Sequence, residues 1–132
     1  MAGKILEHTS DLYIEGQGKD LKEAICEVAK IMFKNMGEAK KQNAKIEITA
    51  TGYDKQIMII EFFSKILSEC ESELMIPKKL KIKKIDVEKK RIEATIFGET
   101  GTLKNIIKAV TYNSFVLDKT NEKTKLRILF DI

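Results

Sequence analysis

The chain has 132 residues, of which 43% are hydrophobic and 33% are charged. This length is typical of one domain, and the apolar content is enough for one buried core, which argues against disorder and predicts a single domain over residues 1–132. The N-terminal segment carries Lys4, Glu7 and Asp11 and lacks the apolar region of a signal peptide. The longest apolar run, residues 57–60, is far too short to span a bilayer. We therefore expect a cytoplasmic protein without a membrane partner.

The net charge of +4 is concentrated in one segment. From Lys78 to Arg91 there are eight basic and two acidic side chains, so this segment carries +6 and the remainder of the chain −2. Within it, Lys79, Lys81 and Lys83 alternate and share one strand face, where they could contact RNA phosphates or protect an exposed sheet edge. No Phe or Tyr lies between residues 78 and 91, which disfavours a base-reading platform. Phosphate contact and edge protection both remain open.

The first third of the chain predicts a strand, a turn and a helix. Residues 12–14 form a short apolar alternation, and the Gly-Gln-Gly at 16–18 predicts a turn. Asp20 predicts a helix N-cap with Glu23 three residues later, and apolar residues recur at helical spacing as far as Met36.

The middle of the chain predicts a half-buried strand followed by the most buried helix. Residues 46–51 alternate between apolar and polar, and from Asp54 an apolar stripe runs to Cys70 and covers most of the helix girth. Cys26 and Cys70 both fall on apolar helix faces, which favours buried reduced thiols over a disulfide or a zinc site.

The chain after Pro77 predicts strands only. The parity of the apolar residues changes at Lys83-Lys84, which indicates a bulge, and residues 88–91 predict a hairpin turn. Further strands are expected over 92–96, 106–117 and 126–130, and a turn at 98–101, whose glycines lack the lysine of a P-loop. The prediction is an α+β domain with two helices packed on a mostly antiparallel β-sheet.

The carboxylates near the two ends of the chain are the main candidate functional groups. Asp131 stands next to the terminal carboxyl group of Ile132, and if Asp11 lies on a neighbouring strand, three carboxylates converge. Such a cluster either raises pKa values by mutual repulsion or binds a cation, and oxygen ligands select calcium, magnesium or manganese over zinc. His8 is close enough in sequence to hydrogen-bond a ligating carboxylate, and no nucleophile motif gives it a catalytic role. An acidic residue near a solvated terminus is also common without any ligand.

Several segments, read in order, resemble the archease family: residues 6–12 (Leu-Glu-His-Thr-Ser-Asp-Leu), 58–67, 98–99 (Gly-Glu), 108–112 (Lys-Ala-Val-Thr-Tyr) and 129–132 (Leu-Phe-Asp-Ile). The resemblance covers almost the whole chain. It departs from the family pattern at Asn113, where a histidine is usual, and in a shortened segment before Lys108.

The resemblance implies an accessory protein for tRNA processing that is not itself an enzyme. It implies that the partner is the tRNA-splicing RNA ligase, bound transiently, whose guanylylation and multiple turnover the protein promotes. It also implies a divalent metal ion, with calcium first and magnesium or manganese as alternatives, held by Asp11, Asp131 and Ile132. Glu61 and Glu99 match family positions and are secondary candidates.

Two other function classes remain beside this one. The first is an RNA-binding protein, or a chaperone-like modulator of a tRNA-modifying methyltransferase, that acts through the basic segment. The second is a metal-dependent hydrolase, which is the weakest hypothesis because the chain offers no obvious base to activate a nucleophile.

Overall fold

The computed structural model describes residues 2–7 and 11–132. These residues form seven strands and two helices, in the order β1 (Ala2–Leu6), β2 (Asp11–Gly18), α1 (Leu21–Lys34), β3 (Ala44–Thr51), α2 (Lys55–Glu73), β4 (Met75–Asp86), β5 (Arg91–Thr100), β6 (Ala109–Lys119) and β7 (Thr124–Asp131). All strand pairs are antiparallel, in a four-stranded sheet of order β1-β2-β7-β6 and a three-stranded sheet of order β3-β5-β4. The predicted α+β class is confirmed, with the strands divided between two sheets.

Both helices begin after a capping aspartate, and the first of these, Asp20, is the predicted N-cap. The Asp20 carboxylate accepts a hydrogen bond from the Glu23 amide at 2.9 Å, and the Glu23 carboxylate accepts the Lys19 amide in return. At the start of α2, the Asp54 carboxylate accepts the amide of Ile57 at 2.8 Å. These bonds satisfy amides that have no partner within the helix, so each helix begins at a fixed residue.

Helix α2 contributes eight buried residues, the largest number of any element, although α1 and β2 are buried over a larger fraction of their length. The prediction that α2 is the most buried element therefore holds by number of residues and not by fraction. The helix contacts strands of both sheets. Phe63 packs edge-on against Phe130 of β7 with ring centroids 6.2 Å apart, which joins α2 to the four-stranded sheet. Cys70 is fully buried and Cys26 is half-buried. Burial raises the pKa of the Cys70 thiol to about 12 and also raises that of Cys26, so both stay protonated at neutral pH.

Two predicted turns at glycines are wrong, because Gly16, Gly18 and Gly98 lie inside strands. Residues 16–18 belong to β2, where a Cβ on Gly16 would stand 2.4 Å from the carbonyl oxygen of Ala24. Gly98 belongs to β5, and a Cβ there would stand 2.1 Å from the carbonyl oxygen of Ile76. In both cases a close approach to another backbone, and not a reversal of the chain, requires glycine.

The predicted bulge and hairpin are present, with small shifts in the boundaries. The register of β4 on β5 changes between Ile82 and Lys84, and the hairpin turn covers residues 87–90, one residue earlier than predicted. Strand β6 begins at Ala109 and not at residue 106. The preceding segment forms no strand pairs because its amides bond elsewhere, that of Ile106 to the carbonyl of Asn35 and that of Ile107 to the Asn105 side chain.

Candidate functional site

The two predicted carboxylate ligands from opposite ends of the chain lie directly across from each other. Asp11 opens β2 and Asp131 closes β7, and the two residues are register partners. Their neighbours Leu12 and Phe130 are also partners and are buried in the core. Because side chains alternate between the faces of a sheet, Asp11 and Asp131 share the opposite, outer face, with Cβ atoms about 5 Å apart. The condition on which the carboxylate cluster depended is therefore met.

The end of β7 is held by its neighbours on both sides. Asp131 pairs with Asp11 in β2 and with Ala109 in β6, and its carbonyl accepts the amide of Lys108 at 2.7 Å. Ile132, the third predicted ligand, follows Asp131 directly and so lies one residue from the aspartate pair. The segment 108–112, one of those that carry the resemblance, thus pairs with the end of β7, where the candidate ligand Asp131 stands and Ile132 follows.

A comparison with another acidic position on the same two strands shows what is unusual about this pair. Glu15 faces Arg127 across β2 and β7, and its buried carboxylate accepts hydrogen bonds from Arg127 Nε at 2.8 Å and Gln17 Nε2 at 2.7 Å, with Lys4 Nζ at 3.4 Å. Burial acts to raise the pKa of Glu15, but these three partners outweigh it and hold the pKa below its usual value. At the aspartate pair one acid stands opposite another across the same two strands, and like charges directly opposite each other repel.

The predicted carboxylate ligands could hold a hard cation only if water or a partner supplied further oxygen ligands. Among residues 2–7 and 11–132, no three His, Cys, Asp or Glu side chains gather closely enough to hold a metal ion. The predicted ligands Asp11, Asp131 and Ile132 would supply oxygen only, which is the chemistry of calcium or magnesium. Calcium takes six to eight oxygens, so this set leaves positions for water or for a partner.

The secondary candidates Glu61 and Glu99 lie in different parts of the fold. His8 lies outside the described residues. Glu99 lies at the end of β5 in the three-stranded sheet, where its carboxylate accepts the backbone amide of Lys40 at 2.8 Å, so it fastens the segment before β3. This contact gives Glu99 a structural role.

Glu61 connects two of the segments that carry the resemblance. Its carboxylate accepts the hydroxyl of Tyr112 from β6 at 3.2 Å, and the carbonyl of Tyr112 accepts Gln56 Nε2 at 3.5 Å. Partial desolvation, together with the Glu61 and Asp54 carboxylates, raises the pKa of Tyr112. Glu61 also lines an open cleft of about 470 Å³ beside the start of α2, next to the exposed Tyr53.

The lysines of the basic segment stand on the outer face of the three-stranded sheet. Lys79 and Lys81 are exposed on β4, which is an edge strand. Lys83 occupies the bulge, and its ammonium group bonds to the carboxylate of Glu47 on β3 at 2.6 Å. That carboxylate also accepts the Thr95 hydroxyl, and both contacts lower the pKa of Glu47.

An aromatic residue from outside the basic segment also stands on this face. Phe97 of β5 is the register partner of Lys79 on one side and of Lys45 on the other. The sequence does indicate this position, because the alternation of β5 places Phe97 on the polar face with Glu93 and Thr95. Only the pairing of the strands shows that two lysines flank it.

Neither helix of the described part of the chain combines the length and apolarity that a membrane-crossing helix requires.

Comparison with known proteins gives one consistent result. Residues 4–132 match the Archease protein family (MTH1598/TM1083). The chain is 30% identical to a protein archease-like of Drosophila melanogaster, over 97% of this chain and 87% of that protein. It is 29% identical to a protein archease of Methanosarcina acetivorans, over 96% and 93% of the two chains.

Two solved structures share the fold. The solution structure of protein 1598 of Methanobacterium thermoautotrophicum has a TM-score of 0.70, at 22% identity and 99% coverage of both chains. The crystal structure of an archease from Thermotoga maritima, described as a possible chaperone, has a TM-score of 0.68, at 21% identity over 98% of this chain and 96% of that chain. The family pattern extends from β1 to the aspartate at the end of β7, and the same arrangement of strands and helices recurs in these structures, so this chain belongs to the archease family.

Proposed function

We propose that this protein activates a tRNA-splicing RNA ligase in the cytoplasm, promoting guanylylation of the ligase and its multiple turnover, with a divalent cation bound at the aspartate pair. Membership in the archease family supports this function, because the segments that carry the resemblance span the chain. In this proposal the protein contributes no reaction step of its own. Its effect is exerted on the chemistry of the partner.

The observation that carries the proposal is the register of β2 and β7, which sets Asp11 opposite Asp131 on an outer sheet face. Two like charges in this position repel each other, and a cation between them would convert this repulsion into attraction. The ligands would be the two side-chain carboxylates and the carboxyl group of Ile132. Calcium suits an all-oxygen set best, with magnesium or manganese as alternatives.

A cation held by so few protein groups suits a transient partner. Coordination positions not filled by this chain are available to water or to oxygens of the ligase and its nucleotide. When bound, the ion would supply positive charge near phosphate oxygens, while the strands β2 and β7 hold the carboxylates in place. An activator that leaves after each cycle needs a small interface, which accords with substoichiometric action.

The test is a multiple-turnover ligation assay with a ligase from the same source, GTP and a divalent ion. One molecule of this protein for every ten of the ligase should raise the yield above one product per ligase. Asp11→Asn should remove the stimulation while the variant still unfolds cooperatively. Asp118→Asn, an exposed aspartate of β6 opposite Lys125, is the matched control and should stimulate as wild type does. Equal yields with and without the wild-type protein would contradict the proposal.

A second candidate is a chaperone-like modulator of a tRNA-modifying methyltransferase. The description of the Thermotoga maritima archease as a possible chaperone favours it. This candidate predicts that the protein changes the site or extent of tRNA methylation in a reconstituted reaction and leaves ligation unchanged. The two activities can be measured on the same preparations, so the results separate the candidates.

A further inference from the structure

The outer face of the three-stranded sheet carries an aromatic ring between two lysines. In one row across β3, β5 and β4 stand Lys45, Phe97 and Lys79. Adjacent strands lie about 4.8 Å apart, so the two lysines flank the ring at close range on both sides. Phe97 is only partly buried, and it does not belong to the cluster of hydrophobic residues packed against the core. Part of its ring is therefore accessible from the solvent side.

Some of the basic side chains on this face form ion pairs with acidic residues, and others do not. Lys83 is bound by Glu47, and Arg91 lies 3.6 Å from Glu93. In contrast, Lys45, Lys79, Lys81 and Lys84 are exposed and form no ion pair within the described ranges 2–7 and 11–132. Two of these four lysines flank the ring directly, and Lys81 and Lys84 continue the row of positive charge along β4.

Protection of a sheet edge accounts for only part of this arrangement. Lysines on the edge strand β4 would discourage pairing with another chain. That role also covers Lys45, because β3 is the other edge strand, but it does not explain a partly buried aromatic residue on the polar face of the central strand β5. A protein interface is also a poor match, because interface centres are depleted of lysine and contain several apolar groups.

We propose that this face binds a short stretch of single-stranded nucleic acid, with one base stacked on Phe97 and phosphates contacted by Lys45, Lys79, Lys81 and Lys84. A ring that stacks any base, combined with lysines that follow the backbone, is the general means of binding single strands without sequence preference. A duplex cannot use the ring, because its bases are already stacked on one another. The inference does not rest on the ligase proposal, since neither the ion nor the ligase takes part in binding.

The experiment measures fluorescence anisotropy of labelled 12-nucleotide single strands with the whole protein in EDTA, at several salt concentrations. RNA and DNA of the same sequence form two arms, and a duplex forms the third. We expect a Kd of roughly 1–100 µM at low salt for single strands and weaker binding of the duplex. Four phosphate contacts predict that log affinity falls with log salt with a slope of about −3. Equal affinity for RNA and DNA would mean that the face reads the shared backbone and bases, and a preference for RNA would add contacts to the 2′-hydroxyl.

The variants separate stacking from charge. Phe97→Leu keeps an apolar side chain but removes the ring, and it should weaken binding about 5- to 150-fold with the salt slope unchanged. Replacement of Lys79, Lys81 and Lys84 together by Gln should reduce the slope to about −1. The matched control removes the same charge elsewhere, by replacing the exposed residues Lys22, Lys119 and Lys123 with Gln, and should bind nearly as wild type does.

Three results would overturn the inference: no measurable binding to either single strand, equal losses in the two triple variants, or unchanged affinity in Phe97→Leu. The first would leave edge protection as the role of the lysines. The second would reduce binding to the overall charge of the protein, and the third would exclude stacking. A triple variant that binds RNA normally but fails to bind the ligase would assign the face to a protein partner instead.

Discussion

Replacing Asp131 by Asn should change the stability of the protein in opposite directions with and without a divalent ion. Without the ion, Asp131 faces Asp11 across β2 and β7, and like charges in this position destabilise a sheet by about 0.2–1 kcal/mol. Asn is isosteric, and the hydrogen bond from the Lys108 amide to the backbone of residue 131 is retained. The variant in EDTA at low salt should therefore melt about 1–5 °C above wild type.

With the ion, the order should reverse. A ligand at one hundred times its Kd stabilises the folded state by about 2.7 kcal/mol, which for a chain of this length corresponds to roughly 8–15 °C. Wild type should gain this increment from calcium, whereas Asp131→Asn loses one carboxylate ligand and should gain much less. Thermal unfolding followed by circular dichroism, in EDTA and in a calcium series, measures both effects on the same samples.

Asp118→Asn provides the control for this prediction. Asp118 is exposed on β6 and faces Lys125, so its removal breaks an attraction and should lower or leave unchanged the melting temperature in EDTA. Its calcium response should equal that of wild type. The reasoning would be refuted if Asp131→Asn melted below wild type in EDTA and kept the full calcium increment.

Three further predictions concern the carboxyl group of Ile132, the hydrogen bond between Glu15 and Arg127, and the contact between Gly16 of β2 and Ala24 of α1. Added residues after Ile132 should weaken calcium binding measured by calorimetry, because they remove the carboxyl group beside Asp131; unchanged affinity would exclude Ile132 as a ligand. Glu15→Gln should cost about 2–4 kcal/mol in urea unfolding at pH 7, since Arg127 loses its charged partner. The folded-state pKa of Glu15 is lowered, so this difference should be complete above the ordinary carboxyl value of 4.5 and diminish as the pH falls through the lowered pKa; a difference that grows in acid would refute the account. Gly16→Ala should destabilise the fold because its Cβ would meet the carbonyl oxygen of Ala24, and equal stability in urea unfolding would show that α1 can move aside.

Features determined by neighbours in sequence were predictable from the residues. The cap at Asp20 depends on a bond to a residue three positions away, and the buried stripe of α2 from Asp54 onward depends on helical spacing alone. The bulge at Lys83 follows from a change in strand parity. Each of these is local chemistry, so a single sequence is sufficient to find it.

Features determined by distant parts of the chain were not predictable in the same way. The local pattern at Gly16 and Gly98 predicts turns, because it does not contain the helix and strand backbones that approach these glycines in the fold. The pairing of Asp11 with Asp131 depends on the register of β2 and β7, which the sequence alone does not show. The same holds for Phe97, whose flanking lysines come from two other strands.

The central claim is tested most directly by transfer of radiolabelled guanylate from GTP to a ligase from the same source, with calcium or magnesium present. Addition of this protein in one tenth of the ligase amount should raise the rate at which labelled ligase forms, and the protein alone should take up no label. Asp131→Asn should give the rate of the ligase alone, and Asp118→Asn should give the wild-type rate. Equal rates of labelling with and without the wild-type protein would contradict the claim.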